Sequence, residues 1–283
     1  MCIMNKLNTE TRVLITKALV DGVGVNATCR LTGAAKHTVL KLLRELGAAC
    51  AELHEKKVRD VKARRIQCDE IWSFVHAKAK NLPEEKRGQF GYGDIWTWTA
   101  IESDSKLIVS YNVGLRDAGY AHEFMNDVAG RLTNRVQPTT DGHKAYLDTV
   151  DDAFAGEVDY AQLIKLYGAE RPGEARYSPA NVIGIRKEAV CGTPEPRQIS
   201  TSILERQNLS MRMGMRRFTR LTNAYSKKIQ NHCHAIALYF AHYNFCKVHS
   251  TLRVTPAMEA GLNDHVWEIE ELLNLLDRRS PIV

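Results

Sequence analysis

The feature that most limits the possible folds of this chain is a change in the spacing of its apolar residues at residue 66. Before that point, apolar residues such as Val13, Ala18, Leu42 and Leu46 recur at helical spacing. After it, the segment IQCDEIWSFVHAK is rich in β-branched and aromatic residues, which is typical of a buried strand. A small helical region therefore precedes a region that contains a sheet.

The first 48 residues predict three short helices, in the stretches TETRVLITKALVDG, NATCRLTG and AAKHTVLKLLRELG. Gly22 and Gly47 are predicted to end the first and the third helix. Two helices joined by a tight glycine-containing turn are typical of a DNA-binding helix-turn-helix, although a plain three-helix bundle stays open. In that geometry the early residues of the last helix contact DNA. These residues are Lys36, His37, Thr38 and Lys41.

The remaining residues predict an α/β fold with a mixed sheet and flanking helices. Residues 49–65 read as a basic linker that brings Arg64 and Arg65 to DNA. Residues 66–250 predict three strands, then a helix, a strand, a helix, a fifth strand and a helix over residues 199–221. Residues 169–197 are predicted to be an insertion without a clear element, and residues 251–283 a helical tail.

The distribution of charge predicts a polyanionic partner, most simply double-stranded DNA. The net charge is +6, yet the first 65 residues carry thirteen Lys and Arg against six Asp and Glu. A second segment, residues 206–228, holds seven basic residues and no acid. Two separate cationic segments favour two contacts with a nucleic acid, and the alternative is that these residues only solvate helix faces.

The seven cysteines are scattered and form no C-x-x-C pair, which argues against a disulfide framework or a zinc ribbon. No apolar run approaches the ~18 to 20 residues that span a bilayer, and the first residues lack the apolar core of a signal peptide. We therefore expect a cytoplasmic protein without a membrane partner.

Three acidic residues, far apart along the chain, are the candidate chemical groups. Asp69 lies within the first strand, where a carboxylate is costly unless it meets a cation or hydrogen-bond donors. Asp141 lies where the fourth strand ends, and Glu205 lies on the last helix of the sheet region. In an open α/β sheet such positions can converge. Glu70, as the strand neighbour of Asp69, is expected to point to the opposite face.

Two of these acids also have a purely structural explanation. Asp141 and Gly142 form a common turn pair. Ser202 and Glu205 match the S-x-x-E pattern of a capping box, in which the glutamate stabilises the start of a helix. Asp69 has no comparable structural explanation.

Three segments resemble the catalytic segments of the Asp-Asp-Glu transposases, which are bacterial insertion-sequence enzymes with an RNase H-like core. They are CDEIW on a strand, TTDGHKAY at a strand end and STSILERQNLSMRM on a helix. The closing segment FAHYNFCKVHSTLRVTPAMEAGL is similar to that of many such enzymes. The resemblance covers roughly residues 20–262 and is strongest to a compact class with a small N-terminal DNA-binding domain.

The resemblance implies that Asp69, Asp141 and Glu205 hold two divalent ions, Mg²⁺ or Mn²⁺, and catalyse cleavage and transfer of DNA strands. It implies element ends and target DNA as substrates, and a homo-oligomer assembled on DNA. Further DNA contacts are expected at His143, Lys144, Arg206, Asn208, Arg212, Arg216, Arg217 and Arg220. Two alternatives stay open: a non-catalytic helix-turn-helix regulator, and a metal-dependent nuclease of the same fold.

Overall fold

The structure, a computed structural model, describes residues 7–168, 182–219 and 222–277. The chain divides into two compact units. Unit 1 comprises the described residues of 1–59, 71–97 and 207–283, and unit 2 comprises those of 60–70 and 98–206. The predicted ranges 1–48, 49–65, 66–250 and 251–283 do not coincide with these units. In the described part, no helix is both long and apolar enough to cross a membrane.

Unit 1 begins with three helices, α1 (Thr9–Val20), α2 (Val25–Thr32) and α3 (Lys36–Lys57). The side chain of Asn8 caps α1 by accepting a hydrogen bond from the backbone N–H of Thr11 at 2.8 Å. The three predicted helices are therefore present and in the predicted order. Their role as a helix-turn-helix stays a prediction.

Gly47 does not end the third helix, contrary to the prediction. Helix α3 continues for ten residues beyond it, so the first half of the predicted linker is helical. A Cβ atom at residue 47 would lie 2.4 Å from the carbonyl oxygen of His234. The glycine therefore serves the close packing of α3 against α7 (Ile229–Ala241), which a larger side chain would prevent.

The rest of unit 1 is also helical. A π-helical turn at His242–Cys246 follows α7, and α8 (Pro256–Glu259) and α9 (Ile269–Asp277) close the described chain. Helix α3 packs against both α7 and α9. Completely or almost completely buried side chains fill the space between them, namely Leu43, Leu46, Cys50, Ile236, Phe240 and Leu272.

The sheet confirms the predicted mixed α/β class. Its strands are β1 (Arg65–Val75), β2 (Gly93–Glu102), β3 (Ile108–Gly114), β4 (Gln137–Thr140), β5 (Ala161–Tyr167) and β6 (Val182–Ala189). They lie in the order β3-β2-β1-β4-β5-β6, where β1, β4 and β5 are parallel and β6 is antiparallel to β5. Helices α4 (Ala118–Ala129) and α5 (Ala145–Phe154) follow β3 and β4.

The predicted insertion at residues 169–197 contains a sixth strand, which corrects the expectation that it has no element. Strand β6 pairs along its length with β5, from Ala161 opposite Ala189 to Tyr167 opposite Val182. Its apolar residues give little sign of this, because Ile183 and Ile185 are exposed and Gly184 interrupts them. Pairing with β5 therefore makes this segment a strand. Residues 169–181 lie outside the described part.

The helix predicted over residues 199–221 is shorter in the structure. Helix α6 spans Ser202–Gly214, and a short 3-10 turn at Arg216–Phe218 follows it. Gly214 is a poor helix former, and Met215 takes an extended conformation. This change of direction buries the side chains of Met215 and Phe218.

The described cysteines form no disulfide. Cys50 in unit 1 and Cys68 in unit 2 are completely buried. Burial raises the pKa of the Cys68 thiol, and the charges of Glu70 and Asp69 raise it further. Both cysteines are therefore packing residues.

Candidate metal centre

Two neighbouring parallel strands bring Asp69 and Asp141 together. The paired register of β1 and β4 runs from Arg65 opposite Gln137 to Cys68 opposite Thr140. Asp69 and Asp141 are the residues that directly follow the last pair of this register, Cys68 and Thr140. Strand β4 ends at Thr140 while β1 continues to Val75, so Asp141 follows the end of β4 beside Asp69 within β1. The two carboxylates therefore meet although they are 72 positions apart in the sequence.

Glu70 joins this pair, which the sequence reasoning missed. One carboxylate oxygen from each of Asp69, Glu70 and Asp141 lies within 4.8 Å of the other two. The alternation of strand side chains predicted that Glu70 would be remote from Asp69. Asp141, however, lies in the loop beyond β4, where it can be reached from either face of β1. The Glu70 side chain is only 1% exposed.

Glu205 lies in the first turn of α6 and lines the same cavity as Asp69 and Asp141, which has a volume of about 390 Å³. It does not belong to the group of oxygens within 4.8 Å. Its carboxylate forms an ion pair with Lys165 of β5, with 2.7 Å between Nζ and Oε2. The three predicted acids therefore line one cavity, but Glu205 is held by a lysine.

The position of α6 depends on a buried glutamine of β1. The side-chain oxygen of Gln67 accepts hydrogen bonds from the backbone N–H groups of Ile203 and Leu204, at 3.0 Å each. Gln67 is only 4% exposed and precedes Asp69 by two residues on the same strand. It thus satisfies two free N–H groups at the start of α6 and fixes Glu205 relative to Asp69.

The predicted capping box between Ser202 and Glu205 is not formed, which corrects that expectation. The backbone N–H of Ser202 donates instead to the hydroxyl of Ser200 at 3.2 Å. The Glu205 carboxylate accepts a hydrogen bond from the hydroxyl of Thr201. The Gln67 side chain already accepts hydrogen bonds from backbone N–H groups at the start of α6. The Glu205 carboxylate is therefore not needed as a helix cap and can face the cavity.

Arg116 is the second cation of the site. Its Nε lies 3.1 Å from Oε2 of Glu70, and its Nη2 lies 3.5 Å from Oδ2 of Asp141. Asp141 also accepts a hydrogen bond from the backbone N–H of His143 at 2.9 Å, which closes a tight turn after β4. Two side-chain cations, Arg116 and Lys165, thus offset part of the negative charge of the four acids.

The remaining negative charge changes the proton affinity of the acids. Burial raises the pKa of Asp69 to about 7, and the charges of Glu70, Asp141 and Glu205 contribute to the rise. Burial and the charge of Asp141 also raise the pKa of Glu70. Burial alone would raise the pKa of Glu205, but Lys165 and Thr201 outweigh it and the pKa is lowered. The acids around Asp69 therefore carry more negative charge than Arg116 and Lys165 offset.

The donor set fits a hard divalent cation. All the clustered donors are carboxylate oxygens, which Mg²⁺ and Mn²⁺ prefer over nitrogen and sulfur. Oε1 of Glu70 is buried and faces the hydroxyl of Tyr146, but the two make no hydrogen bond of ordinary geometry. A buried carboxylate oxygen without a full partner, beside two more acids, is what a bound cation would stabilise.

The predicted DNA-contacting residues occupy several elements, and their role stays a prediction. Lys36 and His37 are exposed and Thr38 is half-buried at the start of α3, while Lys41 forms an ion pair with Glu45 at 3.8 Å. Arg64 is exposed, and Arg65 pairs with Asp104. Lys144, Arg206 and Arg216 are exposed, and Asn208, Arg212 and Arg217 are half-buried. Arg220 lies outside the described residues.

His143 is set apart from the other predicted DNA contacts by its packing. Its ring contacts Trp98 and Tyr146 edge to face, with centroids 6.1 Å from each. Its Nδ1 accepts a hydrogen bond from the backbone N–H of Ala145 at 3.1 Å. Burial, with the charge of Arg116, lowers the pKa of His143. A neutral ring that supports the turn after Asp141 explains this geometry without a DNA contact.

The solved structures that are similar to this chain include a transposase complex. It is a cryo-EM structure of a piggyBac transposase synaptic complex with hairpin DNA, with 9% sequence identity and a TM-score of 0.42, covering 98% of this chain and 74% of that chain. A likeness at this level supports no conclusion about fold or function. No protein-family model matches the chain, and no curated protein matches it either. The function has to be inferred from the geometry of the site.

Proposed function

We propose that this protein is a transposase of the Asp-Asp-Glu type, with an RNase H-like core that cleaves and transfers DNA strands. One observation carries the proposal. Asp69 lies within β1, Asp141 follows the end of the neighbouring parallel strand β4, and Glu205 lines the same cavity from α6. A protein that only binds DNA gains nothing from gathering acids whose charges destabilise one another.

The acids of this chain would hold two divalent ions, Mg²⁺ or Mn²⁺, as ligands. Such ions, when bound, activate the attacking water or 3′-hydroxyl and offset the charge that develops on the phosphoryl oxygens. Asp69 would be one of the ligands, since its carboxylate lies within 4.8 Å of those of Glu70 and Asp141. Asp141 and Glu205 supply the flanking ligands, and Gln67 holds α6 so that Glu205 keeps its position.

Arg116 and Lys165 have a second role in this proposal. Both line the cavity together with the acids, and both now pair with carboxylates that metal ions would take over. Once released, their cationic groups are within the site where a phosphate of the DNA strand would lie. Cationic donors at that position favour the transition state of phosphoryl transfer, since negative charge accumulates there.

Unit 1 supplies the proposed contacts with the DNA duplex. Helices α2 and α3 would act as a helix-turn-helix, with Lys36, His37 and Thr38 toward the bases. The basic residues Arg212, Arg216 and Arg217 of unit 1 would bind phosphates, and so would Arg206 of unit 2. We further propose that the protein acts as a homo-oligomer, because transposition requires two element ends to be handled together.

The test uses duplexes that carry the native flanks of the gene, incubated with the full-length protein and Mg²⁺. Asp69→Asn, Asp141→Asn and Glu205→Gln are each expected to lose strand cleavage by about a thousandfold or more, because bound metal supplies several kcal/mol of transition-state stabilisation. DNA binding, measured by fluorescence anisotropy, should stay within about threefold of wild type. Asp148→Asn, an exposed acid on α5, is the matched control.

The same assay separates the alternative functions. A non-catalytic regulator would bind the duplexes but cleave none of them with Mg²⁺ or Mn²⁺. A nuclease would cleave them but would fail to join a supplied 3′-hydroxyl end to a second duplex. Full cleavage by any of the three acid variants would remove that residue from the proposed set of metal ligands.

A further inference from the structure

Unit 1 contains a cavity of about 550 Å³ that the proposed strand chemistry does not use. Its walls come from the turn between α1 and α2, the start of α3, residues 215–217 and 222–227, and one side of α7. The turn between α1 and α2 forms one wall and lies close to the end of α6. A Cβ on Gly22 would lie only 2.6 Å from the carbonyl oxygen of Gly214. The cavity is thus built by segments remote in sequence.

The charge around this cavity has one sign. Five basic residues line it, and no acidic residue of the described ranges does. None of the five forms a salt bridge with a residue that the structure describes. The five are Arg30, Lys36, Arg216, Arg217 and Lys227. A cavity with this lining attracts anions and repels cations.

Arg217 is the most constrained of these cations. Its Nη1 donates to the hydroxyl of Ser226 at 2.8 Å and to the carbonyl oxygen of Asn231 at 3.1 Å. Burial lowers its pKa to about 10, so the guanidinium still carries its charge at neutral pH. Both of these acceptors are neutral, and no acid of the described ranges lines the cavity, so an anionic ligand there would offset the charge of this half-buried guanidinium.

The start of α2 offers backbone donors to the same cavity. Gly24 precedes the helix and provides no side-chain cap, and residues 24–27 all line the cavity. The N–H of Ala27 already donates to the carbonyl oxygen of Gly24 at 2.9 Å, so the donors that α2 can offer are those of its first residues, Val25 and Asn26. A Cβ at residue 24 would meet no atom within 4 Å, so the space beside Gly24 is open. Free N–H groups at a helix start bind phosphate oxygens well.

The other part of the lining is apolar and aromatic. Val23, Leu40, Tyr225 and Tyr239 contribute to it, together with Leu238. A simple inorganic anion would leave this surface uncovered. A ligand that joins a phosphate to a flat ring would satisfy both parts, because nucleobases stack on aromatic side chains and pack on apolar ones.

We propose that this cavity binds a single nucleotide, with its phosphate among the basic side chains and its base against the apolar wall. A double helix is too wide for a space of about 550 Å³, so the ligand is either a free mononucleotide or one unpaired nucleotide within a DNA strand. The two sources share the same recognition chemistry, and binding measurements tell them apart. The inference requires neither bound metal nor strand cleavage.

The experiment titrates the full-length protein, in EDTA, with 2-aminopurine deoxyribonucleoside 5′-monophosphate and with a ten-nucleotide single strand that carries one 2-aminopurine. Fluorescence reports transfer of the base into the cavity. Arg217→Gln is expected to weaken binding at least about tenfold, since a hydrogen bond to a charged group is lost. Ala27→Leu, which fills the cavity from α2 and keeps a good helix former, should abolish the fluorescence change.

Lys56→Gln, which removes an exposed charge on α3 outside the cavity, is the matched control and should leave both titrations unchanged. Thermal unfolding of each variant shows whether the fold is kept. Effects of Arg217→Gln and Ala27→Leu on the mononucleotide titration support a free nucleotide as a ligand. Effects on the strand alone support an unpaired nucleotide in DNA.

Two outcomes would overturn the inference. One is that both cavity variants keep the fold and bind both probes as wild type does. The other is that inorganic phosphate competes as strongly as the mononucleotide, which would reduce the cavity to an anion site without recognition of a base. Loss of strand cleavage in the acid variants bears on neither outcome, so the two proposals can fail separately.

Discussion

At the scale of single residues, the acids of the candidate metal centre destabilise the metal-free fold. The folded-state pKa of Asp69 is raised to about 7 from its ordinary value of 3.8. The folded protein therefore binds a proton more tightly than the unfolded chain between these two values. The contribution of Asp69 to the free energy of unfolding therefore falls as pH rises through this interval, by at most about 1.4 kcal/mol for each pH unit.

Asp69→Asn is accordingly expected to stabilise the metal-free protein at pH 8, by up to a few kcal/mol, because it removes a buried charge that lies among like charges. At pH 4, where the wild-type carboxyl is protonated in the folded state, the difference should nearly vanish. Urea unfolding in EDTA at both pH values measures this. A stabilisation of equal size at pH 4 and pH 8 would contradict the proposed cause.

The sequence alone could identify Asp69 and Asp141, because a buried acid in a strand and an acid at a strand end are unusual positions. It could not identify Glu70, since the alternation rule describes a continuous sheet and Asp141 lies beyond the last paired residue. Arg116 and Lys165 were also missed. Their partners come from other elements, so only the fold brings each cation to its acid.

At the scale of elements, the attachment of α6 to β1 is the contact on which the site depends. Gln67→Met keeps the length of the side chain but leaves two N–H groups of α6 without an acceptor. Each lost hydrogen bond at a buried group costs about 1 to 3 kcal/mol. Strand cleavage should fall more than tenfold, because Glu205 would no longer be fixed relative to Asp69.

Gln137→Met provides the control for that variant. Gln137 is also a buried glutamine, on β4, and its amide oxygen accepts a hydrogen bond from the backbone N–H of Glu195 at 2.8 Å. Loss of this hydrogen bond should lower the free energy of unfolding by an amount similar to that of Gln67→Met, but strand cleavage should stay near wild type. If both variants lost activity in proportion to stability, Gln67 would have no special part in positioning α6.

The packing of α3 against α7 gives an element-scale prediction of stability. Gly47→Ala would place a Cβ atom 2.4 Å from the carbonyl oxygen of His234, and backbone cannot yield as a flexible side chain can. We expect a loss of about 3 kcal/mol or more, comparable to other changes that overpack a core. Gly119→Ala in α4, whose Cβ would be 3.4 Å or more from other atoms, should instead be neutral or stabilising. Chemical denaturation compares the two.

Element boundaries were predictable where a local signal decides them, and not where packing does. Apolar residues at helical spacing marked α1, and β-branched and aromatic residues marked β1. Gly47 was read as a stop because glycine commonly ends helices, but here it serves contact with α7. Strand β6 has no clear alternation of buried apolar residues, and its backbone pairing with β5 is what makes it a strand.

At the scale of the whole molecule, the compact units differ from the linear division that the sequence favours. The order of segments suggested an independent N-terminal domain ending near residue 48. In the structure, α1 and α3 belong to unit 1 together with α7 and α9 from the other end of the chain. Unit 1 is therefore assembled from three separate stretches of the chain.

This division predicts the outcome of a truncation. A fragment of residues 60–283 lacks α1, α2 and α3, so the apolar side of α7 that they cover would be open to water. We expect this fragment to bind a hydrophobic dye and to lose cooperative thermal unfolding of unit 1. A chain that lacks only residues 1–6 should unfold as wild type does. A soluble, cooperatively folded 60–283 fragment would show that the N-terminal helices form a separable domain after all.

The two fully buried cysteines have a consequence for how the folding of this protein can be followed. Cys50 belongs to unit 1 and Cys68 to unit 2, and neither thiol touches solvent in the native state. An alkylating reagent can therefore modify each one only during a transient opening of its own unit. Mass spectrometry of the two peptides would time these openings separately in the unaltered chain, without an introduced label.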